Sequence, residues 1–128
     1  MAIARSNVIL MGTDESTLQS IANNATQNGS ETDILADDTS TGYAHVYLVI
    51  TSTSTSGSID LELHPYRVTG QVYPDQPPYR YSYPPTNGTQ QIFVGTIQLS
   101  RRMRARVKNN ATGASASVLV ALEVFKMT

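Results

Sequence analysis

The chain has 128 residues, which suits one domain burying about two thirds of its unfolded surface. It has no cysteine, and this excludes a disulfide framework, a thiolate nucleophile and a thiolate metal site. The sequence contains no run of about 18 apolar residues and no signal-peptide pattern at its N-terminus, so we expect no membrane span and synthesis in a cytoplasm.

The net charge of −1 conceals an asymmetry between the two halves of the chain. Residues 1–62 contain eight acids and one base, whereas residues 63–128 contain two acids and eight bases. Pairing between neighbouring strands of one subunit would account for this distribution, and the sequence favours that interpretation. The alternative is a molecule with oppositely charged faces that attract each other between subunits.

Residues 1–42 are predicted to form an extended N-terminal arm with weak strands. A single apolar cluster at Val8–Met11 is followed by a segment that fits either a short helix or an extended chain. Asn, Ser, Thr, Asp and Gly then dominate residues 23–42. Because so few apolar groups cannot offset the entropy of ordering, we expect the arm to become ordered only on a neighbouring protein surface.

Residues 43–128 are predicted to form an antiparallel β-sandwich, jelly-roll or Greek-key-like in its connections. Apolar and polar residues alternate at 43–50 and 58–64, which predicts two strands that pair with each other, and 91–99 predicts a third. Strands at 102–108 and 117–125 flank the turn-forming residues 109–113 and are interpreted as a hairpin in the middle of a sheet. Five short strands without a long helix are typical of a sandwich.

Residues 65–89 interrupt this pattern and predict a long loop. They contain all six prolines of the chain and five of its seven tyrosines. Proline removes backbone donors, so we expect no central strand here. Tyrosine buries a large area at a small entropy cost, which makes the loop a candidate protein interface. Stacking against a sugar is the alternative use of the same candidate residues, which are Tyr73, Tyr79, Tyr81 and Tyr83.

A stripe of cations follows one face of the strand at 102–108 and forms a second candidate interface. Arg102, Arg104, Arg106 and Lys108 alternate with apolar residues. We expect acids to compensate this face, either on an adjacent strand, with Asp60 and Glu62 as candidates, or on a neighbouring subunit. Nucleic acid is not favoured as a partner, because the chain is acidic overall and no aromatic residues interleave the stripe.

The sequence contains no arrangement of residues that predicts catalysis. Nucleophile-elbow, phosphate-loop and His-x-x-x-His patterns do not occur, so we expect no enzyme, no catalytic residue and no cofactor. His45 and His64, together with Asp60 or Glu62, would supply enough ligands for a weak metal site, but two solvated histidines are the favoured interpretation. The acidic segment from Glu31 to Asp38 lacks the spacing of a calcium loop. No metal is predicted.

Four segments together resemble small β-sandwich virion proteins of tailed bacteriophages. They are GYAHVYL at 42–48, GSIDLEL at 57–63, VGTI at 94–97 and MRARVKNNATGAS at 103–115, and the KNNxTGAS turn is the most distinctive. The resemblance spans roughly residues 20–125. In those proteins a short loop follows the strand that ends near Leu63, and the Pro/Tyr segment departs from that pattern.

The resemblance implies a structural component of the virion, assembled in the host cytoplasm. A capsid decoration, or cement, protein that binds and stabilises the head shell is the expected function, with a tail or neck accessory as a variant. Its partners would be the major capsid protein or other virion proteins, and the chain would form a homo-oligomer. The alternative is a receptor- or carbohydrate-binding module of a phage tail or head fibre.

Overall fold

The chain folds into two antiparallel β-sheets that pack face to face, which confirms the predicted β-sandwich. This computed structural model describes residues 3–14, 16–35, 41–66, 79–110 and 113–127. Within those residues there is no helix. The strands are β1 (Ile3–Met11), β2 (Gln19–Ile21), β3 (Thr26–Asn28), β4 (Thr32–Asp33), β5 (Thr41–Ser52), β6 (Ile59–Tyr66), β7 (Tyr79–Tyr83), β8 (Gly88–Gln98), β9 (Arg102–Asn109) and β10 (Ala116–Met127).

The strand order is that of a jelly roll. Sheet 1 has the order β1-β10-β5-β8, with β2 also paired to β10, and sheet 2 has the order β3-β9-β6-β7, with β4 also paired to β9. Without the short strands β2 and β4, eight strands remain, and successive strands cross from one sheet to the other at every step except β6 to β7. Two four-stranded layers connected in this way form the double Greek key of jelly-roll proteins.

The crossings correct two pairings that the sequence suggested. β9 and β10 do not form a hairpin, because β9 pairs with β6 in sheet 2 while β10 pairs with β5 in sheet 1. Likewise β5 and β6 lie in different sheets and do not pair back on each other. Alternation identifies the face that points to the core, but the two sheets share that core. The same pattern therefore fits a hairpin and a crossing equally well.

Asn109 holds the crossing from β9 to β10 in place. Its side chain is completely buried, and its Nδ2 donates to the backbone oxygens of Ile21 at 3.1 Å and Ala114 at 2.9 Å. Its backbone N–H donates to Ala25 O at 2.9 Å, and its carbonyl accepts from the N–H of Asn24 at 2.8 Å. One side chain thus joins the turn before β10 to the segment around β2.

The first 35 residues differ from the expected arm, since those that are described belong to both sheets. β1 pairs with β10 from Ile3 to Met11, with one irregularity after Ile9, while β3 and β4 pair with β9. Leu10, Met11, Ile21, Ile34 and Leu35 are at most 3% exposed and belong to the core. Only the shortness of β2, β3 and β4 agrees with the expected weak strands. The few apolar residues of this segment are the ones that reach the interior.

The Pro/Tyr segment is also more regular than expected. β6 continues through Pro65, and residues 79–83 form β7, which pairs with β6 from Tyr83 opposite Ile59 to Tyr79 opposite Leu63. Pro65 lies beyond the last residue of β6 that pairs with β7, where β9 is its one described neighbour. A residue without an N–H is tolerated at such an edge position. Residues 67–78, including the candidate Tyr73, lie outside the described residues.

The core lies between the inner faces of the two sheets. Alternate residues of β5, β6, β9 and β10 form its centre, and none of the side chains named next is more than 2% exposed. They include Val46, Leu48 and Ile50 of β5, Leu61 and Leu63 of β6, Met103 and Val107 of β9, and Val118, Val120 and Leu122 of β10. Because these positions all point inward, the intervening residues of each strand define two outer faces with different chemistry.

Candidate protein-binding surface

The outer face of sheet 1 carries a cluster of aromatic rings, which we call the aromatic face. Tyr43, His45 and Tyr47 alternate along β5 with core residues, so their rings all point away from the interior. Phe93 of β8 lies opposite Tyr47, and Phe125 of β10 lies opposite Tyr43. Three adjacent strands, β10, β5 and the edge strand β8, therefore place five rings side by side on one surface.

The rings of the aromatic face contact each other in a continuous row. Tyr43 stacks on Phe125 with centroids 4.8 Å apart, and the His45 ring meets Phe125 edge-on at 5.3 Å and Phe93 at 5.6 Å. Tyr47 and Phe93 lie 5.5 Å apart. These separations fall in the range of favourable aromatic pairs. The row is held by its own contacts and by the sheet beneath it, so it is organised before any partner arrives.

Two of these rings remain accessible to a partner. Tyr47 is 40% exposed and Phe93 is 56% exposed. A shallow groove on one side of Tyr47 is lined by Ile9, Ala121 and Glu123, and another groove on the other side is lined by Val49, Gln91 and Phe93. Isolated apolar side chains on a surface are ordinary, but contiguous ones mark interaction sites.

Polar contacts around the aromatic face fix the rings and neutralise the nearby charges. His45 Nδ1 lies 2.9 Å from Thr96 Oγ1, and Thr51 Oγ1 lies 2.9 Å from Thr89 Oγ1. Arg5 pairs with Glu123 at 2.5 Å. An apolar centre with a polar border is the usual composition of a protein interface.

The outer face of sheet 2 is charged, and it contains the arginine stripe. Arg102 forms an ion pair with Asp33, and Arg106 Nε lies 3.9 Å from Glu62 Oε1. Lys108 lies opposite Asp60 in the register, and Arg104 lies opposite His64. The expected compensation on the adjacent strand is therefore present within the subunit for Glu62, whereas the Asp60 carboxylate lies opposite Lys108 and accepts hydrogen bonds from Ser82 and Asn110. This arrangement also explains how the acidic half of the chain meets the basic half.

Exchanging the charges of one of these pairs tests the internal compensation. Arg102→Glu places two carboxylates opposite each other, because Asp33 faces Arg102 in the register, and we expect it to cost about 1 kcal/mol at this partly exposed pair. The double exchange Asp33→Arg with Arg102→Glu should recover most of that loss in urea denaturation, and both effects should shrink as salt increases. A double exchange no more stable than Arg102→Glu alone would contradict the pairing.

The three described tyrosine candidates lie on β7 at the edge of sheet 2 rather than on a loop. Tyr79, Tyr81 and Tyr83 are half-buried, and their rings pack against the core. Burial raises the pKa of Tyr81 and of Tyr83 above the ordinary value of 10.0, and Tyr79 and Tyr83 add to the shift at Tyr81. The neutral hydroxyl is thus favoured in the fold, and its contribution to stability is lost as the pH rises through the raised pKa. These rings serve the fold as well as the surface.

The two histidines lie on different sheets and cannot share a ligand site. His45 belongs to the aromatic face, whereas His64 is 2% exposed on β6, with Nε2 3.1 Å from Glu62 Oε1. The expectation of two solvated histidines is therefore wrong for His64. Among the residues that the structure describes, no three His, Asp or Glu side chains come together as a metal site, and no helix is long and apolar enough to cross a membrane.

Sequence reasoning identified the strands of the aromatic face but missed the surface itself. The alternation at 43–50 puts Tyr43, His45 and Tyr47 on one face of a strand. Phe93 and Phe125 are distant in sequence and join them only through the pairing of β5 with β8 and β10. The useful signal was present in the alternation, since aromatic residues occupied outward positions in three separate strands.

Two comparisons with known protein sequences found no relative of this chain. No protein family model matches the chain, and no curated protein sequence is detectably similar to it.

Proposed function

We propose that the protein is a structural virion protein of a tailed bacteriophage, a capsid decoration protein that binds the head shell through its aromatic face. The observation that carries the proposal is the row of five outward rings on sheet 1, with Tyr47 and Phe93 exposed at one end of it. The segments that resemble phage virion proteins supply the biological setting. Jelly-roll domains are common in viral capsids and lectins, which is support by analogy of fold.

The chemistry of the two outer faces supports a single orientation of the subunit on its partner. Tyrosine and phenylalanine contribute a large part of the binding energy at protein interfaces, because they bury much area with few rotatable bonds. The ion pairs of sheet 2 are satisfied within the subunit and suit a surface that stays in water. In the proposed complex, sheet 1 contacts the major capsid protein or another virion protein, and sheet 2 faces solvent on the assembled particle.

Replacing the two exposed rings tests the proposed contact. We expect Tyr47→Ala with Phe93→Ala to weaken binding to purified heads at least tenfold, since aromatic residues that a partner buries are typical binding hot spots. The variant should keep most of its thermal stability, because both side chains are substantially exposed. Quantitative electrophoresis of sedimented heads gives the bound copies per particle.

Tyr83→Ala is the matched control for this experiment. It also removes a tyrosine ring, but from β7 at the edge of sheet 2, away from the aromatic face. We expect it to bind heads like the unmodified protein. Because the Tyr83 ring also packs against the core, circular dichroism must first show that this variant is folded. If folded Tyr83→Ala does not bind while the double variant still binds, the interface lies on β7, and the assignment to the aromatic face is refuted.

A carbohydrate-binding module of a tail or head fibre is the second candidate, and one observation favours it. The exposed rings are bordered by amide and hydroxyl side chains, namely Gln91, Thr96 and Gln98, and a sugar would be recognised by stacking together with such hydrogen bonds. Copy number distinguishes the two functions, because a cement protein is present in hundreds of copies and a fibre module in a handful. Glycan binding that is lost in the double variant, without binding to heads, would establish the second candidate.

A further inference from the structure

The edge strand β8 has an unusual composition for its position. It lies at the end of sheet 1, where β5 is its one strand neighbour among the described residues. Its eleven residues, GTQQIFVGTIQ, include no charged residue and no proline. Edge strands offer a row of unpaired backbone groups, and proteins usually blunt them with charges, proline, bulges or short length.

The other edges of the sandwich carry such protection. β7 has only five residues and includes Arg80. β2, β3 and β4 have two or three residues each, and the longer β1 includes Arg5. The contrast is clear within sheet 1 itself, whose other long edge strand is charged. β8 is therefore the one long edge strand, among those described, that lacks both charge and proline.

The C-terminal part of β8 is protected against pairing with another strand, whereas its N-terminal part has no strand on its outer side among the described residues. The Tyr79 hydroxyl accepts a hydrogen bond from Gln98 N–H at 3.2 Å, which shows that backbone donors on this strand use partners outside sheet 1. The pairing register with β5 shifts next to Gly95, whose φ is +152°. Ahead of this irregularity, Thr89, Gln91 and Phe93 are all exposed.

We propose that residues 89–93 of β8 pair antiparallel with the same residues of a second copy of the chain, forming a two-fold dimer with a continuous sheet in which Gln91 lies at the axis. In an isologous contact only the residue at the axis faces its own copy, and the residues on either side of it face each other across the two strands. A charge at or near the axis would therefore lie close to the same charge of the other copy and be repelled. Because β8 carries no charge, it can pair with the same strand of a second copy without repulsion, and it offers nothing that would select an oppositely charged partner. Facing hydroxyl and amide side chains can hydrogen-bond to each other, and the contact would cover part of Phe93.

This dimer is independent of the proposed function. Strand addition extends sheet 1 in its own plane, so most of the aromatic face of both copies stays open on the same side. Failure to bind heads would leave the dimer unaffected, and a monomeric protein would still be able to bind heads. The two experiments therefore have separate readouts.

Size-exclusion chromatography with light-scattering detection tests the proposal on the whole chain. Gln91→Lys is the variant designed to disrupt the dimer. We expect the unmodified protein at high concentration to have twice the 13.9 kDa mass of one chain. Gln91→Lys should raise the protein concentration at which half of the chains are dimeric at least tenfold. Ser82→Lys adds the same charge to β7, at the edge of the other sheet, and should leave the dimer intact. Circular dichroism confirms that each variant remains folded.

A monomer under all these conditions overturns the proposal, as does a dimer that persists in Gln91→Lys. Because the chain has no cysteine, single cysteines at Thr89, Gln91 or Phe93 give a second readout. Directly opposed residues in an antiparallel pair lie about 4.5–5.5 Å apart between Cα atoms, which is within disulfide range. We expect Gln91→Cys, at the axis, to cross-link most rapidly on oxidation, and Ser82→Cys not to do so. A dimer in which none of the three cross-links contradicts the β8 contact.

Discussion

Deletion of residues 1–11 is expected to prevent folding of the remaining chain. The deletion removes β1, which pairs along β10 from Ile3 to Met11, and takes Leu10 and Met11 out of the core. Burying two such side chains contributes about 3–6 kcal/mol, and a domain has about 5–15 kcal/mol in total. Loss of β1 also turns β10, the most apolar strand, into an exposed edge. We expect circular dichroism and light scattering to show an unfolded or aggregated product.

Point variants on the same strand separate the loss of packing from the loss of chain length. Leu10→Ser changes a residue that is 2% exposed, whereas Ile3→Ser makes a similar change at a residue that is 59% exposed. The first should cost about 3–5 kcal/mol in urea denaturation, as for other buried large-to-small changes, and the second should be near neutral. Equal stability of both variants would mean that β1 does not pack as described.

Limited trypsin digestion gives an independent measurement of the same feature. Arg5 is the only cation in residues 1–62, and its side chain is exposed while its backbone pairs with β10. Cleavage requires the strand to open, so we expect it to be slow in the isolated subunit. Rapid loss of the first five residues would instead support the extended arm that the sequence suggested.

The arm illustrates what sequence patterns could and could not predict in this chain. The sequence predicts β5, β6, β8, β9 and β10, because alternation or a continuous apolar run over seven or more residues is a local signal. It does not predict the nine-residue β1, which it assigns to the arm. The segment from 13 to 35 has strands of only two or three residues, and its apolar residues are isolated from each other. Their burial depends on where β9 and β10 lie, which is not a local property. A polar composition was therefore interpreted as an arm, although its few apolar side chains complete the core.

The candidate site shows the same division between local and non-local information. The sequence identified the basic stripe and its acidic partner Glu62, because both alternate within their own strands. It did not identify the aromatic face, since that surface exists only when β10 and β8 flank β5. Pairing order in a jelly roll is set by crossings between sheets, and turn residues do not distinguish a crossing from a hairpin. The tyrosines of β7 were selected on composition, which carries no information about burial.

The second large effect is expected at Asn109, where the sequence showed only a turn. Substitution by Ala removes two hydrogen bonds and leaves the carbonyls of Ile21 and Ala114 without this donor. Each buried acceptor that loses its partner costs about 1–3 kcal/mol, so we expect a loss of about 2–5 kcal/mol. Thermal denaturation should show a decrease in Tm of many degrees.

Asn109→Asp separates the hydrogen bonds from the volume of the side chain. Aspartate has the same shape, but its carboxylate cannot donate, and it would face two carbonyl oxygens in a buried site. Only the protonated acid would restore a donor, so folding should raise the pKa of the new carboxyl group. The loss relative to the unmodified protein should then be large at neutral pH and shrink as the pH falls through that raised value. Asn87→Asp, at an exposed position, should show neither effect. If Asn109→Asp is as stable as the unmodified protein at neutral pH, the side chain does not hold the crossing from β9 to β10.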